Sequence, residues 1–184
     1  MSNLSGSAWW YENQAKYPNS QSIDDLEPSF RIKVKNFLDH LYSAGAQIGI
    51  SSTLRNPIRA YLMHYAWNIA NGSIAPNLVP LREDCDIFWI HPTDQESIQA
   101  AQEMVQLFGM AYEAVLSSRH ITGQAIDMNI NWSGAMQVID GTGQYVLIDS
   151  QVPAKDNRDL HQVGASFGVY KLLSDPPHWS CDGH

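Results

Sequence analysis

The run Ile126-Asp127-Met128-Asn129-Ile130-Asn131 constrains this chain more than any other segment. Its apolar and polar residues alternate strictly, which is the period of a strand buried on one face only. Ile126, Met128 and Ile130 then face a core, while one carboxylate and two amides face the other way. A strand over 126–132 with one wet face belongs to an antiparallel sheet whose apolar side is covered by helices.

The flanking sequence supplies such helices. Over 28–43, Phe30, Val34, Phe37, Leu38 and Leu41 recur at helical spacing, and Pro28 suits the first turn. A second helix is predicted over 57–70, capped by Asn56, with a stripe of Ile58, Leu62, Tyr65, Ala66 and Ile69. Asn71-Gly72 stops it. A third helix opens on the capping box Thr93 to Glu96 and runs to Phe108. A short strand is read at 47–52 and a hairpin at 136–139 and 144–148. A last helix follows at 157–167, then a final strand at 178–180. The segment 73–91, broken by Pro76 and Pro80, reads as a loop that either covers a groove or stands in solvent. The first 27 residues are polar but carry Trp9, Trp10 and Tyr11, so they are expected to dock. The expectation is an α+β fold, a small antiparallel sheet with packed helices, in one domain spanning 1–184.

Charge removes other possibilities. Eleven Lys and Arg against nineteen Asp and Glu leave a net charge of −8, which is ill suited to a phosphate backbone, so no nucleic-acid partner is expected. No stretch reaches the ~20 apolar residues of a membrane span. The first ten residues lack the basic and apolar regions of a secretory leader. Cys85 and Cys181 fit no metal-ligand spacing, and they read equally as a pair or as two buried thiols.

Among the histidines, His40, His64 and His161 lie in helices and read as packing or surface residues, while His91 has no obvious partner and His184 is expected to be mobile. His120 and His178 differ. His120 precedes a turn glycine, Gly123, and then Asp127 at the head of the polar strand face; His178 follows Asp175 by three positions. Two imidazoles and a carboxylate, with water in the fourth position, make a catalytic zinc site. A further carboxylate nearby is the general base that metal-assisted hydrolysis needs. By residue type and spacing alone, unrelated polar loop residues remain the alternative. Two other patterns fail. Gly164-Ala165-Ser166-Phe167-Gly168 places its serine late in a helix rather than on a nucleophile elbow. Asp127 to Asn131 opens like a calcium loop but has Trp132 where glycine is required.

Ser118-Arg119-His120-Ile121-Thr122-Gly123-Gln124-Ala125-Ile126-Asp127 fits S-x-H-x-x-G-x-A-x-D, and Asp175-Pro176-Pro177-His178-Trp179 fits an acidic residue, two residues, then His and an aromatic. Together they resemble the zinc D-alanyl-D-alanine carboxypeptidase and L-alanyl-D-glutamate endopeptidase family, the VanY-like peptidoglycan peptidases that include phage endolysins. The resemblance covers 47–180 as the peptidase core, with 1–27 as a docking segment. It implies a hedgehog and D-Ala-D-Ala-peptidase-like domain in which His120, Asp127 and His178 hold Zn2+. It further implies Asp175 as the base, Arg55 as the arginine that steadies the substrate carbonyl and oxyanion, and Ser118 as a substrate-binding serine. Arg55 in a surface ion pair and Ser118 as a turn cap are the plainer readings of those two residues. The substrates implied are stem peptides of bacterial peptidoglycan, cut by a monomer acting in the periplasm or on the wall after release or secretion. The family's tryptophan before the final histidine is Pro177 here, and its later acidic residue is Ser180. A D-alanyl-D-alanine carboxypeptidase or dipeptidase, with Arg119 and Ser118 as carboxylate clamps, and a non-catalytic peptidoglycan-binding module are the other readings.

Overall fold

The computed structural model describes residues 3–184. In chain order its helices and strands are α1 (Ser7–Asn13), α2 (Pro28–Ser43), β1 (Gln47–Ser52), α3 (Pro57–Ala70), α4 (Asp94–Leu107), β2 (Ala125–Asn131), β3 (Ala135–Ile139), β4 (Tyr145–Asp149), α5 (Arg158–Ser166), β5 (Tyr170–Lys171) and β6 (His178–Ser180). The class is α+β, five helices with a small antiparallel sheet. The chain forms two compact units, each assembled from separate stretches: the residues up to 18 with 56–117, and 19–55 with 118–184. No helix among the described residues is long and apolar enough to cross a membrane.

The first unit is built on α1, α3 and α4. Asn56 caps α3 by accepting the N–H groups of Ile58 and Arg59 at 2.9 and 3.2 Å. Thr93 and Glu96 complete the capping box of α4, the threonine hydroxyl accepting from Glu96 N–H at 3.2 Å and the glutamate from Thr93 N–H at 3.0 Å. Trp9 and Trp10 of α1 are buried among Leu62, Ala66, Ile69, Ala101 and Met104. The segment 73–91 departs from the reading in which it stands in solvent. Cys85, Ile87 and Trp89 alternate into this same core, and Trp9 Nε1 donates to Asp86 C=O at 2.9 Å. The segment is thus an irregular wall of the unit rather than a solvated insertion.

The second unit holds the sheet, in the order β1-β2-β6-β5 with every neighbouring pair antiparallel. Ile48 lies opposite Ile130 and Ile50 opposite Met128, and a bulge shifts the register so that Ser52 faces Asp127. Below the sheet, the α2 stripe of Phe30, Val34, Phe37, Leu38 and Leu41 joins Ile126, Met128 and Ile130 in one core. The β3–β4 hairpin forms its own two-stranded sheet and adds Met136, Val138 and Ile148. Each such side chain, fully buried, contributes about 1.5–3 kcal/mol. Trp179 of β6 is 1% exposed, with its ring 5.4 Å from Phe37 and 5.6 Å from His161. A Cβ on Gly164 would come within 2.6 Å of that indole. The first glycine of the G-x-S-x-G pattern therefore makes room for Trp179, and Ser166 is occupied structurally, its hydroxyl donating to Val163 C=O at 2.6 Å.

Candidate metal centre

Strand pairing and one turn bring the site together. The β2–β6 register sets Asp127 directly opposite His178. Asp127 lies on the polar face of β2, which also presents the exposed Asn129 and Asn131. His120 is delivered by the turn before β2, where Ser118 C=O accepts from Ile121 N–H at 3.1 Å and His120 C=O from Gly123 N–H at 3.3 Å. Gly123 has φ +69°, and a Cβ there would lie 2.8 Å from the backbone nitrogen of Glu27. Its own C=O accepts that N–H at 2.9 Å, so the turn is locked against the start of α2 at a position only glycine suits.

Three ligand atoms converge there. His120 Nε2 lies 3.1 Å from Asp127 Oδ1, His178 Nδ1 lies 3.0 Å from the same oxygen, and the two nitrogens are 3.1 Å apart. His120 and His178 are 3% and 7% exposed. The remaining ring nitrogens identify the tautomers. His120 Nδ1 lies 2.8 Å from Thr53 C=O and His178 Nε2 lies 3.2 Å from His184 C=O. A carbonyl only accepts, so both outward nitrogens carry the proton. In neutral imidazoles the two inward nitrogens are then lone pairs, aimed with a carboxylate oxygen at one point. Three converging acceptors need protons or a cation between them, and His120, Asp127 and His178 form a group that can hold a metal ion. Ligand bonds of about 2.0–2.2 Å at tetrahedral angles separate the donor atoms by roughly 3.3–3.6 Å, a few tenths of an ångström wider than the triangle observed.

The electrostatics agree. Burial would raise the carboxyl of Asp127, but when the two imidazoles are protonated their hydrogen bonds and charge outweigh it and hold the group well below the usual carboxylate range. Burial would lower the imidazole of His178, yet its hydrogen bond and proximity to Asp127 leave it raised. Asp127 and His178 thus each favour the charged form of the other.

The other predicted residues are placed as follows. Asp175 is exposed in the turn before β6. Its backbone C=O accepts from His178 N–H at 3.1 Å, and its carboxylate has no hydrogen bond or ion pair among the described residues. Arg55 is half-exposed, and its N–H donates to His120 C=O at 3.0 Å. No ion pair engages its guanidinium among the described residues, so the surface-pair reading is not what the structure has. The Ser118 hydroxyl is buried without a partner, so it is not the turn cap either.

Sequence reasoning missed three contributors. Thr53 and His184 act through backbone oxygens, which carry no side-chain signature. Lys171 on β5 is half-buried and donates to the carbonyls of Asp175 and His178 at 2.6 and 3.1 Å. His184 is not the free end expected of it, since its N–H bonds Ser180 Oγ at 3.0 Å. His91 also has a partner, Ser5 Oγ at 3.0 Å. Both cysteines are free, Cys85 buried and Cys181 half-buried.

Comparison with known proteins finds no matching family model, no matching curated protein and no matching solved structure.

Proposed function

We propose that this protein is a zinc-dependent peptidase of bacterial cell-wall stem peptides, with the second unit as a hedgehog and D-Ala-D-Ala-peptidase-like catalytic core. The convergence of His120 Nε2, Asp127 Oδ1 and His178 Nδ1 within 3.1 Å carries the reading. Two imidazoles and one carboxylate suit zinc better than the all-oxygen shells of calcium or magnesium. A zinc ion held there supplies a water acidic enough to react at neutral pH.

The protein's own groups do the rest. Asp175, with its carboxylate unengaged, takes the proton from the attacking water and returns it to the leaving amine. Arg55, whose backbone is fixed to His120, brings its guanidinium to the oxygen on which negative charge develops. The unpartnered Ser118 hydroxyl binds a polar group of the substrate. The free Asp175 and Arg55 side chains favour an enzyme over a non-catalytic binding module.

Within this activity the L-alanyl-D-glutamate endopeptidase is favoured over the carboxypeptidase. A carboxypeptidase needs a cationic or hydroxyl clamp for the substrate's free carboxylate, and of the two candidates the cation, Arg119, is already committed to Asp182, which leaves the Ser118 hydroxyl alone. Purified sacculi incubated with zinc-loaded wild type should yield new D-glutamate amino termini by mass spectrometry, and Asp175→Ala should yield none. Release of terminal D-alanine alone would establish the carboxypeptidase instead, and no new termini at all would defeat the peptidase reading.

A further inference from the structure

His178 presents Nδ1 to the metal centre, whereas His120 presents Nε2. An imidazole that binds through Nδ1 points its Nε2–H outward, and some acceptor must meet it there. That acceptor is the backbone oxygen of His184, at 3.2 Å. Residues 180–184 form a tight turn around Ser180, which is fully buried. Its hydroxyl accepts the N–H groups of Gly183 and His184 at 2.9 and 3.0 Å and donates to Asp182 Oδ1 at 3.3 Å. The turn is fastened to the segment carrying His120. Cys181 N–H donates to Gln124 C=O at 3.0 Å. Asp182 receives both sides of the Arg119 guanidinium, Nε on Oδ1 at 3.2 Å and Nη2 on Oδ2. Arg119 immediately precedes His120, and its own C=O accepts from Gln124 N–H at 2.7 Å.

We infer that Arg119 and Asp182 are positioning residues for the metal centre. Their two-pronged pair holds the 180–184 turn so that the His184 oxygen fixes His178 in the Nε2–H tautomer, with Nδ1 free to ligate. A planar guanidinium suits this task because it fixes direction as well as distance. An exposed ion pair contributes little to folding. Loss of an outer-shell partner of a metal-binding histidine weakens the metal by about 10–100-fold. The pair's effect therefore belongs to metal affinity rather than to stability.

This inference rests on His120, Asp127 and His178 being metal ligands, and the test separates the two claims. Zn2+ affinity is measured on the full chain by competition with a chromophoric chelator, for wild type, Arg119→Gln, Asp182→Asn and the double variant. Each single variant should bind Zn2+ about tenfold or more weakly, the double variant no worse than either single, and the urea midpoints of the metal-free proteins should coincide. In zinc-loaded wild type, nitrogen NMR of the His178 ring should show Nε2 protonated. A wild type that takes up no Zn2+ overturns the ligand assignment itself. A wild type that binds Zn2+, with single variants within about twofold or with losses that simply add, overturns only the positioning role. So does a His178 ring protonated on Nδ1, a result that needs no variant to fold.

Discussion

Lys171 sets its ammonium against backbone carbonyls, not against a carboxylate in contact with it. Desolvation holds this half-buried cation below its ordinary value, the charges of Asp175 and Asp127 offset that in part, and its N–H groups donate to the carbonyls of Asp175 and His178. It thereby pins both ends of the turn that carries the proposed base into β6. Lys171→Met should leave Zn2+ affinity within about twofold and slow turnover by roughly tenfold or more, because a displaced base costs rate without costing ligands. Unchanged turnover in that variant would show that the turn holds itself. The three candidate ligands were legible from the two-part motif around them rather than from spacing alone; His120 and Asp127 stand seven positions apart across one turn, and His178 is 51 positions beyond Asp127. The groups that orient them were not. Thr53 and His184 contribute only main-chain oxygens, and Arg119 meets Asp182 from 63 positions away.

Helices with strong terminal chemistry could be read to the residue. Pro28 and Ser43 bound α2, and Asn56 caps α3, as their sequences indicate. Two short elements could not: α1 has seven residues and β5 has two, too few to display a period. What fixes α1 is remote. Glu103 on α4 accepts the N–H and hydroxyl of Ser7 at 3.0 and 2.7 Å, and these bonds hold its carboxyl below the ordinary value. The folded state therefore favours the carboxylate. The stabilisation is present above the unfolded carboxyl range and is lost as pH falls through the lower folded value. Glu103→Gln should lower the urea midpoint near pH 7, and its difference from wild type should shrink toward about pH 3. A difference that stays constant with pH would mean that the carboxylate charge plays no part in anchoring α1.

Apolar stripes announce that a face is buried but not which other face it meets, so the two cores, one around Trp9 and Met104 and the other around Phe37 and Trp179, could not be told apart along the chain. All three candidate ligands belong to the unit formed by 19–55 and 118–184. Zn2+ at about 100 times its Kd should stabilise that unit by about 2.7 kcal/mol. Hydrogen exchange should slow in β2 and β6 on adding Zn2+ and be unchanged in α3 and α4; uniform slowing would contradict a site confined to one unit. The same division has an architectural consequence. The chain leaves this unit after Arg55 and re-enters it at Ser118, and the Arg55 N–H to His120 C=O bond clasps the two ends of the excursion. Doubling the length of such a detour costs only about 0.6 kcal/mol of closure entropy. The clasp thus joins the two ends of the excursion beside the candidate ligand His120, where closing it depends only weakly on the length between them.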